Sequence, residues 1–305
     1  MTAPRLLCVG ALTYDTILRL DVLPSGAGKF LPSEAVQIAA GMAASAAASA
    51  SRQGGQVWLW ASVGNDAVGR DVIAQMEAER VDCSLVRRVE GGRSAIATIL
   101  VDAVGERMIV PFYDAITQAD PDRLPPADFS RFDAVLVDVR WPGAAALALA
   151  KARECGIPAI LDADVASRPV LDRLLPLASH VVASLPAARI LCGPEASAGS
   201  AVAILGERTG AFVAVTDGAN GTAFQHPGSN DVRHLPSPRV EAVDTLAAGD
   251  VFHGTFALGL AEGWNEEWAI AVASAAAALK CLRFGGRLGA PTRAETLAFM
   301  QGSPT

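Results

Sequence analysis

The chain has 305 residues, of which 51% are hydrophobic and 19% charged, a composition that builds a sizeable core and excludes a disordered protein. A formal net charge of -7 offers nucleic-acid phosphates no global attraction, so no nucleic acid is expected as a partner and any anionic ligand must be held by a few local groups. No signal-peptide pattern opens the sequence and no apolar window reaches a spanning length, so the expectation is a soluble, cytoplasmic protein with no membrane partner.

Residues 6–10 form a short apolar run ending in glycine, and residues 57–63, 134–139, 159–162, 180–183 and 211–216 repeat that form. Such runs read as strands buried on both faces of a parallel sheet. Helix-patterned stretches at 42–53, 69–79, 144–155, 171–177 and 196–208 lie between them, which predicts an α/β fold with helices on both faces of a mostly parallel central sheet. Two segments break the rhythm: residues 16–37 and 93–111 each read as paired strands with no crossover helix, the second reversing near Gly105. A small inserted sheet suits a lid or a contact face for a second copy; two surface hairpins account for the pattern equally well. Three prolines within 121–126 and the turn residues within 227–238 predict loops. Five cysteines and four histidines are scattered without ligand spacing, so reduced structural thiols and structural histidines are expected.

Residues 240–243 read as a strand end, 244–248 as a turn, and 249 onward as a helix closing at Gly263. Small residues thus stand at a helix N-terminus, where unpaired N–H groups and the positive end of the helix dipole can hold a phosphate. Phosphoryl transfer needs such a cradle and a carboxylate beside the attacking hydroxyl. Asp250, directly after Gly249, supplies a carboxylate there. The competing role for it is a helix cap, and magnitudes separate the two. A lost cap costs about 1 kcal/mol of stability, whereas a lost general base costs roughly 10²–10⁴-fold in turnover.

The run Asp244-Thr245-Leu246-Ala247-Ala248-Gly249-Asp250-Val251-Phe252 resembles the C-terminal signature of the ribokinase-like, or PfkB, carbohydrate kinases, and the likeness extends over essentially the whole chain. It implies a three-layer ribokinase-like fold, one kinase domain over 1–305 with a β lid near 12–38 and 93–112, ATP and Mg²⁺ as cofactors, and a homodimer formed through the lid. It implies Asp250 as general base, with Ala247, Ala248 and Gly249 around the anion hole. The stretch Val9 to Asp15 is similar to the family's first strand and its sugar-binding aspartate, here Asp15. Gly41 and Ser45 stand where the family has a glycine pair and an asparagine on the sugar side. Thr216, Gly218 and Gly221 match a T-x-G-x-x-G nucleotide turn, Asp162 and Asp164 lie where relatives carry D-x-N, and Ser184 opens the segment matching N-x-x-E. Asp244 matches a ligand that relatives give to a monovalent cation, which implies a K⁺ site.

Lys29 and Arg140 fall at places that would face the sugar, where a lysine and an arginine together make an anion clamp. The segments Asp138-Val139-Arg140-Trp141 and 279–287 resemble the branch containing sulfofructose kinase, with ketohexokinase a more distant neighbour. That implies transfer from ATP to O1 of a ketohexose with an anionic carbon-six group, such as 6-deoxy-6-sulfofructose. Val110-Pro111, where a polar lid residue is expected, leaves a phosphate or no tail group open. Neutral ketohexoses, fructose 6-phosphate, ribose and nucleosides are the alternative acceptors, and a non-catalytic nucleotide-binding relative is the alternative class. A dinucleotide-dependent dehydrogenase is excluded, because Gly10-Ala11-Leu12-Thr13 supplies no G-x-G-x-x-G turn after the first strand.

Overall fold

The computed structural model describes residues 3–121 and 128–302. The proline-rich loop expected at 121–126 therefore lies, beyond Pro121, outside the described residues. In chain order come β1 (Arg5–Gly10), β2 (Thr13–Arg19), β3 (Glu34–Ala40), α1 (Met42–Arg52), β4 (Gln56–Gly64), α2 (Ala67–Ala78), β5 (Val81–Asp82), β6 (Arg87–Val89), β7 (Ala95–Val101) and β8 (Arg107–Phe112). The second half alternates: β9 (Ala134–Val137), α3 (Pro142–Glu154), β10 (Ala159–Ala163), α4 (Arg168–Leu174), β11 (His180–Ser184), α5 (Leu185–Cys192), α6 (Ala198–Thr209) and β12 (Phe212–Thr216). A hairpin of β13 (Thr222–Gln225) and β14 (Arg233–Leu235) follows, then α7 (Ala248–Ala261), α8 (Glu266–Cys281) and α9 (Arg293–Met300).

The central sheet runs β14-β13-β12-β11-β10-β9-β1-β4-β5, with β6 beside β4. From β12 to β5 the pairing is parallel, and only the β13–β14 edge is antiparallel. Along β1, Leu6 and Cys8 enter one core with α1, α2, α7 and α8, while Leu7 and Val9 enter the other with α3, α4, α5 and α6. Burial on both faces is why these strands read as unbroken apolar runs instead of alternating ones. The chain leaves β1 for β4 on one side and returns to β9 on the other, so a topological switch point lies at β1, and open α/β sheets bind ligands at such a crevice.

Residues 16–37 and 93–111 do pair, as a second sheet of order β3-β2-β7-β8 joined through the parallel contact of β2 with β7. In burial β2 and β7 alternate, while every residue of β8 is exposed. Ile17, Ile38, Ala97 and Ile99 face inward to a small core of their own, against which Leu246 and Phe284 pack. The strand expected at 240–243 is absent: the segment is irregular, because the N–H groups of Val243 and Asp244 both go to the carbonyl of Cys281 and not to a neighbouring strand. All five cysteines are free. Among the described residues, no helix is long and apolar enough to cross a membrane.

Candidate active site

The site begins at the join between β1 and β2. Gly10 (φ +147°) leaves the strand in a conformation that favours glycine, and a Cβ there would lie 2.2 Å from the Asp138 carboxylate. Asp138, just beyond β9 and buried, accepts the N–H groups of Ala11 (2.8 Å), Ala43 (2.9 Å) and Arg140 (2.8 Å). The bond from Ala43 caps α1, whose own N-cap, Gly41 (φ +97°), has no side chain to do so. One carboxylate thereby fixes the turn into β2, the start of α1 and the backbone of Arg140.

These elements wall a cavity of about 340 Å³ between the central and the small sheet. On the small-sheet side Asp15, Gly41 and Ser45 line it, together with Arg107 of β8. Asp15 accepts a 2.5 Å bond from the Thr13 hydroxyl, and burial, against the pull of that bond and of Arg287, raises its carboxyl pKa to about 6. Arg287 reaches the cavity wall from beyond α8, held by Glu79 (2.8 Å) and by the carbonyl of Ala39. Lys29 is not brought here. It stands exposed in the connection between β2 and β3, where its charge is solvated, and the cations that line the cavity are Arg107, Arg140 and Arg287.

On the opposite wall α7 starts from Ala247, which is left-handed (φ 63°) and provides no side-chain cap. The N–H of Ala248 turns back to the carbonyl of Thr245 (3.2 Å), so this half of the expected anion hole is used within the turn. The next N–H groups, of Gly249 and Asp250, have no preceding helical carbonyl in reach by the geometry of a helix start. Ala247, Gly249 and Asp250 all line the cavity. Burial first, and then the charge of Asp162, holds the Asp250 carboxyl well above the usual carboxylate range.

Asp162 lies in β10 and Asp164 just beyond it, Ser184 ends β11 and Thr216 ends β12, and all four reach the cavity from the C-terminal ends of the sheet. Ser184 donates to Asp164 (2.9 Å), whose other oxygen lies 3.8 Å from the Arg140 guanidinium. Arg140 also donates to the carbonyl of Val165 (3.0 Å). Asp162 Oδ1 is buried without a hydrogen-bond partner, with His253 Nε2 3.4 Å from it. Gly218 and Gly221 form a turn closed by the Asp217 N–H to the Gly221 carbonyl (2.8 Å), outside the cavity wall. Among the described residues, no three His, Cys, Asp or Glu side chains gather into a group that could hold a metal.

His253, one helical turn beyond Asp250, was missed because isolated histidines are usually structural. It lines the cavity, donates through Nδ1 to the Gly249 carbonyl (2.7 Å) and places Nε2 3.4 Å from Asp162. Burial lowers its pKa. The i, i+3 spacing from Asp250 was the available signal.

A small-residue helix start, a carboxylate of raised pKa at its third position and a second sheet opposite make an arrangement that phosphoryl transfer can use. Residues 3–293 match the model of the family described as pfkB family carbohydrate kinase. The chain belongs to the pfkB family of carbohydrate kinases. It is accordingly a phosphotransferase with an alcohol group as acceptor, in a family whose ribokinase-like members use ATP and Mg²⁺. It is similar to a putative ribokinase from Agrobacterium tumefaciens, with 46% identity, a TM-score of 0.96 and coverage of 99% of this chain and 98% of the other. The ribokinase of Bacillus subtilis (strain 168) is 30% identical over 95% of this chain and 98% of its own. An ATP-dependent ribose-1-phosphate kinase from Halopiger xanaduensis is also 30% identical, over 97% and 98%. These relatives carry the pfkB assignment; they do not single out the narrower sulfofructose kinase branch.

Proposed function

We propose that this kinase transfers the γ-phosphoryl group of ATP to a sugar hydroxyl, with Asp250 as the general base. The observation that carries the reading is Asp250 at the cavity wall, beside the opening N–H groups of α7, with its carboxyl pKa raised by burial. Asp15 accepts sugar hydroxyls, with Gly41 and Ser45 beside it. Asp162, Asp164, Ser184 and Thr216 face the nucleotide, and the Gly218–Gly221 turn supports its outer part. Asp250 takes the hydroxyl proton, the sugar oxygen bonds to the γ-phosphorus, the bond from that phosphorus to the β–γ bridging oxygen breaks, and ADP leaves. Gly249 and Asp250 N–H groups take up the charge spreading over the transferred group. When bound, Mg²⁺ would supply charge neutralisation for the transferred group, and Asp162 and Asp164 are the carboxylates that would help to hold it. The small sheet acts as a lid that keeps water from the phosphoryl group, and the work of such an enzyme on ATP fits the cytoplasm.

The acceptor we favour is a ketohexose with an anionic carbon-six group, phosphorylated at O1, because Arg107 and Arg140 both line the cavity and a forked guanidinium suits sulfonate or phosphate. A neutral pentose is the second reading, favoured by relatives named as ribokinases. A coupled ADP assay over ribose, fructose, fructose 6-phosphate and 6-deoxy-6-sulfofructose, with a no-sugar control, separates them. The expected result is preference for an anionic ketohexose, lost about 10²-fold in Arg140→Ala through loss of a charge-assisted pair worth roughly 2–3 kcal/mol. Preference for ribose with no effect of Arg140→Ala would leave the pentose reading in place, and binding of ATP with no sugar-stimulated turnover would point to a regulatory relative.

The outer face of the small sheet exposes Ile96 (45%), Met108 (41%), Val110 (61%) and Phe112 (36%), a patch that supports a homodimer through the lid. Sedimentation should show a dimer that Val110→Glu dissociates; a monomeric wild-type protein at high concentration would end this reading.

A further inference from the structure

The fit of Asp244 to a monovalent cation can be tested on its surroundings. Its carboxylate, 0% exposed, accepts the N–H of Leu246 on Oδ1 (2.8 Å) and those of Gly285 and Gly286 on Oδ2 (both 3.0 Å). Gly285 (φ +104°) and Gly286 (φ +57°) are consecutive left-handed residues, an arrangement that turns successive N–H groups toward one anion. The ammonium group of Lys280, from the last turn of α8 and also 0% exposed, lies 3.2 Å from Oδ2 and donates to the backbone carbonyl of Asp244 at 2.5 Å. A potassium ion in this place would need the same two kinds of ligand, a carboxylate and a backbone carbonyl. An ammonium group has about the size and the same charge as that ion, and it already holds both oxygens. The residues present therefore do not fit the K⁺ site that the sequence implied.

Burying a lysine is costly unless its charge is paired and its N–H groups are satisfied. Desolvation lowers the Lys280 pKa, while the charge and hydrogen bond of Asp244 raise it. The pair is anchored to function by position. Asp244 opens the segment that runs through Ala247 into α7, so whatever neutralises its carboxylate also sets the backbone of the phosphate cradle.

We propose that Lys280 is a tethered monovalent cation, a positioning residue that holds residues 244–249 in place so that the enzyme needs no K⁺. The proposal rests on the kinase reading for its effect on turnover, though not for its effect on folding. The test measures thermal unfolding and sugar-dependent ADP formation in KCl, NaCl and choline chloride at one ionic strength, for the wild type, Lys280→Ala and Lys280→Met, with methylammonium chloride added for the two variants. The wild type is expected to keep the same Tm and a kcat/KM within about twofold in all three salts. Lys280→Ala is expected to melt lower in choline chloride, to lose at least tenfold in kcat, and to recover part of both in KCl or methylammonium chloride, because the vacated space lies between the carboxylate and the carbonyl. Lys280→Met, which fills that space with an uncharged side chain, is expected to be impaired without recovery. Saturable stabilisation or several-fold activation of the wild type by K⁺ would overturn the proposal, even if neither variant folds. So would a Lys280→Ala protein with wild-type Tm and turnover in choline chloride. Failure of every protein to form ADP would count against the kinase reading, and the melting data would still decide the cation.

Discussion

Asp250→Asn is expected to lower sugar-dependent ADP formation about 10²–10⁴-fold while leaving the fold intact or slightly more stable. The two halves of this expectation have one cause. Burial and the neighbouring Asp162 raise the Asp250 carboxyl in the folded protein. A group whose folded pKa lies above its unfolded value contributes its stability below the unfolded pKa, and loses that contribution as pH rises through the folded pKa. Above the unfolded pKa the cost of burying the Asp250 carboxyl therefore works against folding, and the uncharged asparagine removes that cost. The variant should melt at or above the wild-type temperature at pH 7, with the difference shrinking toward acid pH as the wild-type carboxyl takes up its proton. A helix-capping role makes the opposite forecast. Under it the variant would lose about 1 kcal/mol or less and keep its turnover per folded molecule. Melting curves beside an ADP assay distinguish the two, and a stability loss with unchanged kcat would remove Asp250 from the chemistry.

The second large effect falls on Asp138, which touches no reacting atom. Asp138→Ala leaves the N–H groups of Ala11, Ala43 and Arg140 without their acceptor, and one of them is the cap of α1. At about 1–3 kcal/mol for each unsatisfied buried group, a loss of roughly 3–5 kcal/mol is expected once a water entering the hole and the relief of a buried charge are allowed for. Asp138→Asn keeps one carbonyl acceptor and should fall between. Urea unfolding reads the result, and an alanine variant within 1 kcal/mol of the wild type would show that the carboxylate is not the clasp described above.

The place of Asp250 at a helix start and the strands of the central sheet were legible because both are local in sequence. A strand buried on two faces is a run of apolar residues, and a phosphate cradle is a short string of small residues before an aspartate. Arg107, Arg287 and Lys280 were not assigned by residue pattern, since each gains its meaning from a partner far along the chain: Thr245, Glu79 and Asp244. Asp138 appeared only as a neighbour of Arg140, and nothing local reveals three backbone donors converging on it. Lys29 misled in the reverse way, as a cation in a glycine-rich stretch whose connection is solvated. The apolar segment 240–243 has the composition of a strand, yet its backbone groups are taken by Cys281 at the end of α8. Composition announces burial and leaves open which neighbour satisfies the backbone.

On the proposed reading, the acceptor side of the cavity rests largely on the small sheet, whereas Asp250 and Gly249 belong to α7, Asp162 to β10 and Asp164 to the residue just after it. Along β8 every second residue, Arg107, Ile109 and Pro111, meets the cavity, while Met108, Val110 and Phe112 turn away from it. In evolutionary terms this separates two inheritances. If the proposed roles hold, changes at three alternate positions of one edge strand can alter the choice of sugar alongside Arg140 while α7 passes on unaltered, so divergence among such kinases should include that strand.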